Sequence, residues 1–239
     1  MRHGRPEMIK PKINWPGALG EFVIIVMGVL AALAVDQWRD EYDDRKTESE
    51  YLDRIRVDVE RDIEKFSSEI VVLEKKADFL QSLLDKTTGS RFSEDPIGLM
   101  EAKVYSSFRG LPESASTTFD ELKSTGRLAL IRDLQIRNAM SEYYSAYASL
   151  NAQVNLFPFG DYGRLVLGIV PGDISREWRL SNTISKPDEF LQSLRLLEEH
   201  PDLPAAANIE ITYGTALQFY VTLFRDRARE LLLRLNEGQ

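Results

Sequence analysis

The chain has 239 residues, 43% hydrophobic and 28% charged, with 14 Gly and 10 Pro. That balance excludes a disordered or collagen-like polymer and fits an ordinary folded domain plus one further segment. Its 38 acidic and 30 basic residues leave a net charge of −8, which removes the electrostatic footprint of a nucleic-acid binder. With no Cys, the chain can hold no disulfide, thiolate zinc site or cysteine nucleophile.

The strongest signal comes first. From Gly17 to Val35 the chain reads GALGEFVIIVMGVLAALAV, with Glu21 as its single charge. As a helix this run covers roughly 28 Å of a hydrocarbon core about 30 Å thick, so one membrane span is expected over residues 15–38. Trp15 and Trp38 flank it where aromatic rings sit among headgroups, and Asn14 and Pro16 supply helix-start chemistry. A secretory leader is the competing reading, since Ala32-Leu33-Ala34 meets its cleavage pattern. Against it stand Glu21 and a helical periodicity that continues past Ala34. A buried soluble helix competes as well, but Phe22 to Val35 is apolar on all sides, which suits lipid better.

Lys and Arg near the span set its orientation. Arg2, Arg5, Lys10 and Lys12 precede it, and Arg39, Arg45 and Lys46 follow. Residues 1–14 are accordingly expected to form a short cytoplasmic tail, with residues 39–239 in the periplasm as an extramembrane helical bundle. The localisation expected is the bacterial inner membrane.

Past the span the helix is expected to continue as a stalk over about 39–86. Leu52, Ile55, Val59, Ile63, Phe66, Ile70, Leu73, Ala77, Leu80 and Leu84 repeat at threes and fours, a coiled-coil-like stripe. Its charges, including the helical pairs Glu41 with Arg45 and Glu50 with Arg54, read as solvated faces. Residues 86–96 are rich in turn formers and read as a loop, and Asp95-Pro96 opens a helix through Phe108. Ser116-Thr-Thr118 offers hydroxyl caps to a short helix whose end Gly126 marks. Asp133 caps the next helix, with Ile136, Met140, Tyr143, Tyr144, Tyr147, Leu150 and Val154 inward.

GEFVIIVMGVLAALAVDQWRDEYDDRKTESEYLDRIRVDVERDI, paired with TFDELKSTGRLALIRDLQIRNAMSEYY, resembles an uncharacterised bacterial single-pass membrane protein family, a domain of unknown function. The resemblance covers residues 15 to about 147. It rests on Gly-Glu before the apolar run, Trp after it, a charged helix, and a Leu-x-x-x-Gly-x-Leu-x-x-Ile turn at Leu122, Gly126, Leu128 and Ile131. Where such members often have Ile-Asn-Asn-Trp, this chain has Val35-Asp36-Gln37-Trp38, and the family carries no activity over.

Asn155 to Gly172 carries only Asp161 and Arg164 as charges. Phe157, Phe159, Tyr162, Leu165 and Leu167 form a candidate partner-docking patch there, against the plainer reading of a short helix closing the bundle. A helix follows from Pro187 to His200, and Pro204 opens a last one with Tyr213, Leu217, Tyr220, Phe224, Ala228, Leu231 and Leu235 inward, expected to pair with the long first helix. The fold class is therefore all-α.

No catalytic residue, metal site or cofactor is assigned. The two histidines, His3 and His200, bring neither a nucleophile elbow nor a Glu-x-x-His pair, and there is no phosphate loop. Glu21 shares a helix side with Gly28 and Ala32, small residues that permit close helix approach. Its carboxyl either pairs with a neighbouring subunit or carries a proton, or it reaches headgroup water. The function expected is a non-enzymatic accessory, assembly or scaffold subunit of a larger inner-membrane complex, respiratory, photosynthetic or transport. Its partners would be membrane lipids and other membrane-protein subunits or further copies of itself, and not nucleic acid. The alternatives are an ion-coupled, stator-like component using Glu21, or a ligand-binding sensor bundle without its own output domain.

Overall fold

A computed structural model describes residues 15–106, 109–154, 160–181 and 183–237, with side chains from Leu19 onward. The described residues form helices α1 (Trp15–Leu84), α2 (Thr88–Glu94), α3 (Pro96–Ser106), α4 (Thr117–Ser124), α5 (Leu134–Val154), α6 (Asp161–Ile169), α7 (Gly172–Ser181), α8 (Pro187–Glu198) and α9 (Leu203–Glu237). A 3₁₀ turn, Arg127–Leu130, follows α4, and no strand occurs among the described residues. The protein is all-α. It divides into two compact units, Met1–Glu50 and Tyr51–Gln239.

In the first unit α1 is helical throughout its described residues, and every side chain from Leu19 to Lys46 is exposed. From Leu19 onward α1 is long and apolar enough to cross a membrane, and none of its apolar stretch is covered by protein. Of the two expected surface pairs, Glu41 accepts from Arg45 at 2.7 Å. Glu50 instead lies 4.0 Å from Lys46, because Arg54 turns to Glu121 of α4 at 2.6 Å.

The second unit is built on residues 51–84 of α1, packed against α9 and α5. Arg56 donates to the Leu235 carbonyl and Lys76 meets Glu210, so rising numbers on α1 face falling numbers on α9 and the two run antiparallel. Phe66 packs on Tyr147 and Asp62 on Tyr143, which makes α5 run with α1. One apolar cluster gathers Ile55, Val59 and Phe66 of α1 with Phe119, Leu122, Met140, Val221 and Phe224. Its aromatic centre has Phe119 stacked on Tyr144 at 4.6 Å and Tyr147 edge-on to Phe224 at 5.4 Å. A second cluster gathers Phe79, Leu80 and Leu83 with Met100, Tyr162, Phe190, Leu194 and Ala207 from α3, α6, α8 and α9. Each fully buried Leu or Phe contributes about 2 kcal/mol of apolar burial.

Helix ends explain where the expected boundaries shift. Helix α1 stops because Lys86 adopts a left-handed φ of 56°, and Thr87 N–H closes back on the Ser82 carbonyl at 2.9 Å while Lys86 N–H meets Leu83. Residues 86–96, expected as a loop, contain α2 instead. Its first turn is capped from a distance, since Glu198 of α8 accepts from both the N–H and the hydroxyl of Thr88. Tertiary contact thus supplies what turn-rich local sequence lacks. Helix α5 begins as expected, with Asp133 accepting from Gln135 and Ile136 N–H at 2.7 and 3.1 Å. In α9 the inward position is Val221 rather than the expected Tyr220, which is 38% exposed.

Candidate functional site

Stepping along α1 by fours and threes from Tyr51 gives Ile55, Asp58, Asp62, Phe66, Glu69, Leu73, Lys76, Leu80 and Leu83. Three of the charged members, Asp58, Asp62 and Lys76, are buried, against the expectation that the charges of this helix are solvated. A buried charge is tolerated only with partners, and each of the three has them.

Lys76 lies between the two apolar clusters, after Leu73 of one and before Phe79 of the other. Its Nζ is 2.5 Å from Glu210 Oε1, and both side chains are almost wholly enclosed. Arg109 closes the group from the segment after α3, donating its Nε to Glu210 Oε2 at 2.9 Å. The guanidinium also lies over the Tyr213 ring at 4.6 Å and against Gly160, where any Cβ would collide with it. Burial lowers the Lys76 pKa, with Glu210 acting against that shift. Burial raises the pKa of Glu69, two turns away on α1, and Lys76 restrains it.

The Asp58 and Asp62 carboxylates organise the chain before α4. Asp62 accepts from Ala115 N–H and Ser114 Oγ, both at 2.6 Å, and from Tyr143 Oη at 2.8 Å. Asp58 accepts from Thr118 Oγ1 at 2.5 Å and its N–H at 3.4 Å, so the cap of α4 comes from α1. Ser116, expected as a local cap, donates instead to the Asp120 side chain at 2.7 Å. Burial, reinforced by Asp62, raises the pKa of Tyr143 far above its ordinary value and keeps it a donor. These groups act as pins: their hydrogen bonds tie α1 to the loop before α4, to α4 and to α5. Near the other cluster, Lys103 donates to Ser175 Oγ, and burial, with Arg179 adding repulsion, lowers its pKa to about 8.

The residues singled out in the sequence lie apart. The Trp15 side chain is outside the described residues; Glu21, Gly28, Ala32 and Trp38 are exposed on α1 of the first unit, and the space beside Gly28 is open. Phe157 and Phe159 lie outside the described residues. Tyr162 is 1% exposed and pairs with Ser106 Oγ at 2.8 Å, so it belongs to the core and not to a docking surface. Leu165 is half-buried against the same cluster, which leaves Leu167, 76% exposed, as the open member among the described three. At the family-like turn, Leu122 and Ile131 are fully buried, Leu128 packs beside them, and Gly126 takes φ 71°. His200 accepts from Asp202 N–H at 3.2 Å through Nδ1.

Among the described residues no group of three or more His, Asp or Glu side chains is placed to hold a metal ion. Sequence reasoning missed Asp58, Asp62 and Lys76, although the four-three register through Tyr51 and Ile55 runs through all of them. It had no comparable access to Arg109 or Glu210. No protein-family model matches the chain, and no curated protein or solved structure is similar to it, so the likeness to a single-pass membrane family rests on the quoted motifs alone.

Proposed function

We propose that this protein is a membrane-anchored, non-enzymatic accessory or scaffold subunit of a larger complex of the bacterial inner membrane, with its helical second unit in the periplasm. One observation carries the reading: the apolar stretch of α1, in a helix long enough to cross the bilayer, has every described side chain open, while the second unit buries its own apolar residues in two clusters. An apolar stretch of this length without protein cover is unfavourable in water, and a lipid environment satisfies it without further partners. The enclosed ion group of the second unit supports a structural role, because Glu210 is held between Lys76 and Arg109 and ties α1 and α9 to the segment after α3.

The reading is tested by purifying the tagged chain from native membranes in mild detergent. Stoichiometric membrane-protein partners in the mass spectrum are the expected result; a chain that extracts alone, or that is recovered free of membrane, overturns it. Accessibility of a tag after residue 237 to protease added to spheroplasts reads the orientation.

A further inference from the structure

Helix α9 carries two seams. The inner one, Leu203, Ala207, Glu210, Leu217, Val221 and Phe224, enters the clusters described above. Shifting two positions along a helix turns about 200° around its axis, so the residues two further on face the opposite way. Those are Ala205, Ile209, Thr212, Phe219, Leu223 and, where the apolar stretch ends, Asp226, with Ala216 completing the series from Ala205 to Leu223 at steps of four, three, four, three and four. That is the spacing of a coiled-coil seam.

The outer seam is open and uncharged. Phe219 is 65% and Ile209 59% exposed, Ala205, Thr212 and Ala216 are exposed, and Leu223 is half-buried at one end. A shallow depression runs beside Thr212, Ala216 and Phe219. Between Asp202 and Arg225 the sole charged residue is Glu210, and it points inward. Beyond Phe224 the pattern changes to Arg225, Asp226, Arg227, Arg229 and Glu230, a solvated face.

We infer that the outer seam of α9, from Ala205 to Leu223, is the contact between two copies of this chain. The spacing asks for a helix with the same repeat, which a second α9 supplies. Charge permits a like partner. A chain of net charge −8 repels its own copies, and that repulsion is least where the facing surfaces carry no charge. This stretch of α9 is such a face, and a charged partner would have to bury its own charges there unpaired. Area sets the strength. A seam about 27 Å long and one helix wide covers on the order of 400 Å² per copy, about half of a standard interface. The contact is therefore weak between free molecules and becomes populated when a shared membrane confines the copies, a step that rests on the anchoring proposed above.

Because the chain has no Cys, single substitutions report contact without background. Thr212→Cys and Ala216→Cys flank Gly214, the midpoint of the seam, so each meets its counterpart whichever way the second helix runs. In membranes from cells expressing the full chain, a short bis-maleimide should convert most of either variant to a covalent dimer. Glu64→Cys, on the exposed face of α1, should give at least tenfold less. Adding Ala216→Glu to Thr212→Cys introduces a charge at an exposed position and should reduce the dimer about tenfold, with unchanged thermal unfolding. Equal yields at residues 64 and 212, or a dimer indifferent to Ala216→Glu, overturn the inference. Carbonate extraction of the same membranes separates the two ideas. A chain retained in the pellet without the 212 cross-link keeps the anchor and loses the interface; a chain released by carbonate that still cross-links does the reverse.

Discussion

Helix α1 places two unlike stretches on one backbone. From Leu19 to Val35 it has one charge and buries nothing; from Tyr51 to Leu84 it is rich in charge and contributes to both apolar clusters, with Asp58, Asp62 and Lys76 inside. Burial in this protein follows the availability of partners and not the polarity of the segment. The apolar stretch meets no protein group, while the charged one meets a loop, a tyrosine, an arginine and a glutamate placed to satisfy it. The first stretch is suited to an environment outside the chain, and the second makes its own.

The largest effect expected from breaking this contrast lies in the first stretch. Val26→Arg with Leu30→Arg puts two cations near the middle of the apolar run, each costing about 3 kcal/mol at the centre of a bilayer. Carbonate extraction should then release the chain, while urea unfolding of the second unit stays unchanged. If the double variant remains in the pellet, that run is not what holds the protein.

In the second stretch, Glu210→Gln removes the carboxylate that Lys76 and Arg109 share in the interior and should destabilise by about 3–5 kcal/mol. Lys76→Met should cost less, about 1–2 kcal/mol, because Glu210 keeps Arg109 and a buried ammonium is removed. Urea unfolding of the two variants side by side reads the difference. Equal losses would mean that Glu210 pairs in effect with only one of the two cations.

The same contrast explains what the sequence makes legible. The apolar run, the stripe on α1, the Asp133 cap and the all-α architecture are local signals, carried by periodicity and by residues within one turn of each other. Helix α2 and the cap of α4 are not local. Their donors, at Thr88 and Thr118, meet Glu198 and Asp58, carboxylates distant in sequence, so turn propensity reads the first as loop and hydroxyls near Thr117 read as self-capping. Tyr162 reads as part of a docking patch because it lies in an apolar segment with only two charges, yet Ser106 satisfies its hydroxyl inside the core. Charge on a helix gives no sign by itself of facing inward; only the register running through it does.

Lys103 sharpens the comparison through pH. Its pKa is lowered to about 8 in the folded protein, chiefly by burial, whereas an unfolded lysine titrates near about 10.4. Between those values the unfolded state binds more protons, so this group makes stability rise with pH; below about 8 its full penalty is present. Lys103→Met should therefore stabilise the protein by about 2 kcal/mol at pH 7, and its advantage should shrink steadily toward pH 10. Parallel urea titrations at pH 7 and 9.5 check this, and an advantage constant across that range would place the cause elsewhere than in the buried charge.

The smallest effect concerns where the charged stretch ends. Two helices close on a left-handed residue, α4 on Gly126 at φ 71° and α1 on Lys86 at φ 56°. Glycine carries no penalty there, whereas a side chain with a Cβ costs roughly 1 kcal/mol against the following carbonyl. The terminus of α1 holds its geometry because Thr87 N–H reaches the Ser82 carbonyl, and because Leu83 beside it is anchored in the second cluster. Lys86→Gly should keep those bonds and remove the penalty, for a gain of about 0.5–1 kcal/mol, limited by the extra freedom glycine gives the unfolded chain. Gly126→Ala should lose about 1 kcal/mol by the same reasoning with the sign reversed. Opposite shifts in urea midpoint, at unchanged slope, are the expected pair. A loss in both would show that the Lys86 side chain contributes more at that corner than its backbone strain removes.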